Sequence, residues 1–77
     1  MLSRYDTSRI LVVDDDRNLR KTIIDILRAK GYVAFGVDSG STALDKFVEP
    51  YPDVVLADLR LEDMSGLDLI REIKRCS

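Results

Sequence analysis

Histidine is absent from the sequence, which removes the usual transition-metal ligand and the usual general base at neutral pH. The single cysteine, Cys76, lies next to the end of the chain and can form no internal disulfide. No apolar run approaches the length of a transmembrane helix, and the polar segment 1–8 does not resemble a signal peptide. We therefore expect a protein of the reducing cytoplasm with no membrane partner.

Charges of both signs are mixed along the chain, and the formal net charge is −2. Because they form no basic stripe, we expect no nucleic acid to bind this chain. An apolar content of 45% is ordinary for a soluble globular domain, and 77 residues allow one domain at most. A core of this size is thin, and such short chains often depend on a partner for stability.

Short apolar runs alternate with amphipathic segments. The runs predict strands over 9–13, 32–37 and 54–57, and the amphipathic segments predict helices over 17–30, 41–48 and 65–75. We expect Asp16 or a neighbour to cap the first helix. The third helix should bury a stripe of Leu67, Ile70 and Ile73. The order βαβαβα predicts an α/β fold with a parallel sheet and right-handed crossovers.

Carboxylates follow two of these strands: Asp14, Asp15 and Asp16 follow the first, and Asp58 follows the third. Ligands of parallel sheets gather beyond the carboxyl ends of the strands, where the winding of the chain reverses. Acidic side chains that meet there repel one another unless a cation lies among them, and Mg²⁺ prefers oxygen ligands. Capping of a helix by these acids is the plainer alternative, but one cap does not need three acids.

Three segments carry a resemblance to a known family: 10–16 (ILVVDDD), 52–59 (PDVVLADL) and 64–70 (MSGLDLI). In this order and spacing they resemble the receiver (CheY-like) domain of bacterial two-component response regulators. The resemblance covers the whole chain, 1–77. It implies a flavodoxin-like, doubly wound parallel sheet with strand order 2-1-3, truncated to the first three βα units of the family's domain.

The resemblance also implies roles for individual residues. Asp58 would be the phosphoacceptor of a phosphorelay. Asp14 and Asp15 would hold Mg²⁺, together with Asp58 and the main-chain carbonyl of Arg60. The phosphoryl donor would be a sensor histidine kinase or a small acyl phosphate. A chain with these roles is no enzyme in the ordinary sense, because it catalyses at most its own phosphorylation.

Departures from the family's pattern bear on activity. The family has five βα units, of which the fourth supplies a Ser or Thr hydroxyl and the fifth a Lys at the phosphoryl site. The lysines of this chain all fall in predicted helices or at their ends: Lys21, Lys30, Lys46 and Lys74. Glu62 stands where the family usually has proline. We therefore expect impaired phosphoryl transfer, because the positive charge of the family's lysine stabilises the transition state.

A sheet of three strands would leave the outer edge of the third strand bare and apolar helix faces uncovered. Bare edges and large apolar faces favour association with another chain. We therefore expect a homodimer or a domain-swapped oligomer.

Two further functions remain as alternatives. Asp14 and Asp16 also fit the Asp-x-Asp signature of haloacid-dehalogenase-type phosphatases, with Asp14 as nucleophile and Asp16 as acid. Those enzymes have a longer core and later motifs for which this chain has no room. The other alternative is a receiver fragment without signalling activity that serves as a dimerisation or interaction module.

Overall fold

The computed structural model describes residues 8–46 and 52–76. Strands and helices alternate in the predicted order: β1 (Arg9–Val13), α1 (Arg17–Ala29), β2 (Val33–Val37), α2 (Gly40–Lys46), β3 (Val54–Ala57) and α3 (Gly66–Cys76). The last two residues of the predicted second helix, 47 and 48, lie outside the described residues. None of the described helices is long and apolar enough to cross a membrane.

The three strands form one parallel sheet in the order β2-β1-β3, as predicted. The central strand β1 pairs with β2 on one side and with β3 on the other. Val13, the last residue of β1, lies opposite Ala57, the last residue of β3. The residues that follow these two strands, Asp14 and Asp58, therefore leave the sheet side by side at its carboxyl edge.

The best-packed part of the core lies on the face of the sheet that α2 and α3 cover. Leu11 and Val13 of β1 are fully buried there, and they pack with residues from four other parts of the chain: Val37, Ala43, Leu61 and Leu69. Burial of this apolar surface is the main source of stability in a domain of this kind. It also fixes the ends of β1, β2 and β3 relative to one another.

Helix α1 begins and ends as its sequence predicts. The N–H groups of Asn18 and Leu19 donate to Oδ1 of Asp16, at 3.0 and 3.1 Å, so Asp16 is the N-cap residue. After the helix, Gly31 adopts a φ of 95°, a left-handed conformation that glycine adopts without steric cost.

Helix α3 differs from its prediction. Leu69 is fully buried, whereas Leu67 is 59% exposed and Ile70 is 40% exposed. The predicted stripe took every third residue, but the face that meets the core holds Leu69 and Ile73, which are four residues apart. The prediction of a stripe at Leu67 and Ile70 was therefore wrong, and only Ile73 packs as expected.

The opposite face of the sheet is less well covered. Leu19 and Ile26 of α1 are about half exposed, at 49% and 52%. Val54 and Leu56 of β3 are also exposed on the outer part of the sheet. The described residues thus leave apolar side chains of α1 and β3 in contact with solvent.

Candidate metal centre

Backbone hydrogen bonds to neighbouring strands hold the main chain at Asp14 and Asp58. The N–H of Asp14 donates to the carbonyl oxygen of Val37 at 3.1 Å, and the N–H of Asp58 donates to that of Val13 at 2.9 Å. Each residue therefore continues the hydrogen-bond ladder of its strand by one step. The sheet therefore fixes where the backbone of Asp14 and of Asp58 begins its turn.

The structure brings together the three carboxylates that the sequence singled out as metal ligands. Oxygen atoms of Asp14, Asp15 and Asp58 all lie within 4.8 Å of one another. Asp14 is buried, with 6% of its surface exposed, whereas Asp15 and Asp58 are exposed. Three carboxylates around one small volume, open to solvent on one side, fit a Mg²⁺ ion that keeps some of its water ligands.

Backbone hydrogen bonds orient two of the three carboxylates. Oδ1 of Asp14 accepts from the N–H of Asp16 at 2.9 Å, and Oδ1 of Asp58 accepts from the N–H of Arg60 at 3.2 Å. In both cases the side chain bonds to the backbone two residues later, which is the geometry of an Asx turn. One oxygen of each carboxylate is thereby oriented, and the remaining lone pairs of the two oxygens stay available for a metal ion and for chemistry.

The loop that follows Asp58 is closed by its own hydrogen bonds. The N–H of Leu61 donates to the carbonyl oxygen of Met64 at 3.1 Å, and the N–H of Gly66 donates to that of Leu59 at 3.0 Å. A Cβ atom at position 66 would collide with the carbonyl oxygen of Asp58, so only glycine permits this approach. The loop therefore packs directly against the backbone of Asp58 and carries Arg60, whose carbonyl is the fourth predicted ligand.

Arg20 is a cation at the site that the sequence reasoning missed. Its Nη1 donates to the main-chain carbonyl oxygen of Asp14 at 2.8 Å. Arg20 lies one helical turn after the N-cap Asp16, and helical side chains point back toward the N-terminus of their helix. That spacing is the signal that could have identified it. The contact ties the turn that carries Asp14 to helix α1.

An apolar cleft of about 210 Å³ adjoins the acidic cluster between α1 and β3. It is lined by apolar side chains together with two of the acids: Val12, Val13, Asp14, Leu19, Ile23, Leu56, Ala57 and Asp58. The acids thus lie at one end of a groove whose remaining walls are apolar.

Asp16 is not part of the cluster. Its Oδ1 accepts two N–H groups of α1, and the group of carboxylates close enough to share a metal ion includes Asp14, Asp15 and Asp58 only, among the residues described. Helix capping, the plainer reading of the acidic run, is therefore correct for Asp16, while Asp14 and Asp15 lie with Asp58.

Comparison with known proteins agrees with this arrangement. The sequence profile of the response regulator receiver domain matches residues 10–77. The DNA-binding response regulator MtrA of Mycolicibacterium smegmatis is 42% identical over 66 residues, which is 86% of this chain and 29% of that protein. The regulatory protein AtoC of Escherichia coli K12 is 36% identical over 67 residues, which is 87% of this chain and 14% of that protein. The chain thus spans less than a third of these relatives.

Solved structures show the same fold. Response regulator TrrA of Thermotoga maritima, in complex with Mg²⁺ and BeF, superposes with a TM-score of 0.85 at 36% identity, covering 91% of this chain and 61% of TrrA. TrrA in complex with the histidine kinase ThkA matches equally well, over 60% of the TrrA chain. The fold is therefore the flavodoxin-like fold of CheY-like proteins, as predicted. Since the profile matches most of the sequence, the chain belongs to the response regulator receiver domain family, whose members are signalling modules of two-component systems.

Proposed function

We propose that this chain is a phosphoacceptor, that Asp58 is the residue phosphorylated, and that Asp14, Asp15, Asp58 and the carbonyl of Arg60 hold Mg²⁺. The observation that carries the proposal is the approach of the three carboxylates to within 4.8 Å of one another. The TrrA structures support it, because that relative was crystallised with Mg²⁺ and BeF and also with a histidine kinase. The donor proposed for this chain is accordingly a phosphohistidine of a sensor histidine kinase in the cytoplasm.

In the proposed reaction, Oδ2 of Asp58 attacks the phosphorus atom of the phosphohistidine. A new O–P bond forms, the P–N bond breaks, and its electron pair stays on the imidazole nitrogen. The N–H of Arg60 donates to Oδ1 of Asp58, and Oδ2 is therefore the oxygen assigned to the attack. When bound, Mg²⁺ neutralises charge on the carboxylates and on the phosphoryl oxygens. The product is an aspartyl phosphate, a covalent intermediate known from other phosphoryl-transfer proteins.

Transfer to the 77-residue chain alone is expected to be slow. The resemblance assigns a hydroxyl and a lysine to the fourth and fifth βα units, and this sequence contains three units. Lys21 does not take over the role, because its Nζ pairs with Asp25 at 2.7 Å on the exposed face of α1. Loss of one hydrogen-bond donor that stabilises charge in a transition state costs about 10²–10³-fold in rate, and loss of the lysine is expected to slow transfer at least as much.

The phosphorylation proposal is tested by intact mass spectrometry after incubation with acetyl phosphate and Mg²⁺. The wild type should gain one phosphoryl group, and Asp58→Ala should gain none. Asp25→Asn is the matched control, since it removes an exposed carboxylate of α1 outside the cluster. An adduct that survives Asp58→Ala, or no adduct on the wild type, contradicts the proposal.

A phosphatase function is less well supported. Its general acid would be Asp16, and the Oδ1 atom of that residue is engaged by two N–H groups of α1. Turnover of a chromogenic phosphate ester that is lost in Asp14→Asn and kept in Asp58→Asn would favour the phosphatase over the phosphoacceptor.

We also propose that two copies of the chain associate through the outer edge of β3. Among the described strands, β3 pairs only with β1, and its Val54 and Leu56 are 43% and 42% exposed. Unpaired edges with apolar side chains pair readily with another chain. Light scattering should show a dimer that Leu56→Lys dissociates, whereas Leu67→Lys on α3 should leave it intact. If the wild type is a monomer, the chain acts as a single copy and the proposed dimer is contradicted.

A further inference from the structure

Asp63 lies at the tip of the loop between β3 and α3, and its side chain reaches the start of a different helix. Its Oδ1 accepts from the N–H of Gly40 and its Oδ2 accepts from the N–H of Ser41, both at 2.9 Å. These are the first two N–H groups of α2, which have no acceptor within their own helix. One carboxylate thus satisfies two N–H groups that lie 23 and 22 residues away in the sequence.

The next two N–H groups of α2 are satisfied by a different residue. Oγ of Ser39 accepts from the N–H of Thr42 at 3.2 Å, and the carbonyl oxygen of Ser39 accepts from the N–H of Ala43 at 3.1 Å. Ser39 is therefore the local N-cap of α2, and Asp63 completes the cap from outside the helix. The two contributions can be removed separately, since Ser39 does not belong to the loop.

The loop and α2 also fit together sterically. A Cβ atom at Gly40 would collide with the side chain of Met64, so the helix terminus and the loop are in close contact. The loop is in turn closed onto Asp58 by the hydrogen bond between Gly66 N–H and Leu59 carbonyl oxygen. The contacts form a continuous path from α2, through Asp63, to the backbone at Asp58.

We infer that Asp63 is a positioning residue for the metal centre, because it anchors to α2 the loop that carries Arg60 and packs against Asp58. This inference rests on the proposed function, since it assigns Asp63 to the same Mg²⁺ site. The loop is a small closed unit, and within the described residues Asp63 supplies its charged contact to α2. Without that contact, Arg60 and the carboxylate of Asp58 would sample positions less suited to a shared ion, and Mg²⁺ binding would weaken.

The pKa of Asp63 agrees with this geometry. The N–H groups of Gly40 and Ser41 stabilise the ionised form and hold the pKa below its ordinary value of 3.8. The carboxylate is therefore charged, and the contact intact, throughout the neutral range where Mg²⁺ would bind.

The test is calorimetric titration of Mg²⁺ into the metal-free chain at neutral pH. Asp63→Ala should weaken binding by about 10-fold, the lower end of the range for residues that orient metal ligands. Asp63→Asn keeps one acceptor oxygen but sets an NH₂ donor against the other N–H group, so it should weaken binding by a smaller factor than Asp63→Ala. Ser39→Ala removes the Oγ contact of the same cap and should lower the melting temperature without changing the Mg²⁺ affinity.

The outcomes separate the inference from the proposed function. If the wild type binds no Mg²⁺, the metal centre itself is refuted. If the wild type binds and Asp63→Ala binds equally well, the inference alone is refuted. Equal weakening in Ser39→Ala and Asp63→Ala would also refute it, because the effect would then follow from the stability of α2. If Asp63→Ala does not fold, Asp63→Asn decides: a Mg²⁺ affinity equal to that of the wild type, or no weaker than that of Ser39→Ala, would refute the inference.

Discussion

Replacement of Asp15 by Asn should have opposite effects on stability without and with Mg²⁺. The substitution removes one of three negative charges that lie within 4.8 Å of one another and keeps the shape of the side chain. Asp15 is exposed, so the substitution leaves the core intact. The effect should therefore come from charge and metal binding alone.

The magnitude follows from Coulomb's law. At a separation of 4.8 Å, two unit charges repel by about 0.9 kcal/mol in a medium with the dielectric constant of water, and by about 3.5 kcal/mol at an effective value near 20. Because Asp14 and Asp15 are neighbours in sequence, their repulsion persists in the unfolded chain. Folding adds mainly the repulsion from Asp58, so metal-free Asp15→Asn should be more stable than wild type by about 1 kcal/mol. That corresponds to about 4–8 °C in melting temperature.

Mg²⁺ should reverse the order of the two proteins. At 100 times the wild-type dissociation constant, a ligand stabilises the folded state by about 2.7 kcal/mol. If loss of a ligand weakens binding by about 100-fold, the same concentration stabilises Asp15→Asn by only about 0.4 kcal/mol. The wild type should then be the more stable protein by roughly 1 kcal/mol.

Thermal unfolding followed by circular dichroism, with and without Mg²⁺, measures both effects. Asp25→Asn is the control, because it removes an acidic charge of α1 outside the cluster and should respond to Mg²⁺ as the wild type does. A metal-free Asp15→Asn that is less stable than wild type, or one that gains as much from Mg²⁺, would refute the electrostatic reasoning.

Two further predictions concern packing and pH. Leu69→Ala should lower the free energy of unfolding by about 2–5 kcal/mol in urea titrations, since it leaves a cavity at a fully buried position. The control Leu67→Ala, at a 59% exposed position, should change the free energy of unfolding little. Equal losses in the two variants would contradict the assigned core. The hydrogen bonds from Gly40 and Ser41 lower the pKa of Asp63 in the folded protein. The charge of Asp63 therefore stabilises the fold at pH values above its ordinary pKa of 3.8. This stabilisation is lost as the pH falls through the lower pKa of the folded state. The stability advantage of wild type over Asp63→Asn should therefore be constant near neutral pH and shrink below about pH 4, and a pH-independent difference would contradict this linkage.

Much of the fold could be predicted because its signals are local. Each strand is a short apolar run, and Asp16 and Gly31 carry the capping chemistry that begins and ends α1. The strand order was implied by the resemblance to the receiver domain. Given that order, the meeting of Asp14 with Asp58 followed from a general rule for parallel sheets, since strand ends that lie side by side bring their next residues together.

The wrong and missed features depend on tertiary contacts. The face of α3 was misjudged because Leu67, Leu69, Ile70 and Ile73 offer more than one apolar stripe, and only the packing against β1 selects the one with Leu69. Asp63 gave no signal, because the N–H groups that donate to it lie at the N-terminus of α2 and no local pattern connects the two segments.

The central claim is that two neighbouring strand ends form one metal site, and a Mg²⁺ titration followed by NMR of the backbone amides tests it most directly. The amides of Asp15, Asp58 and Arg60 should shift together along one saturable curve, and Asp58→Asn should weaken the response at both strand ends. Shifts that do not saturate, or separate curves for the residues after β1 and after β3, would contradict a shared ion.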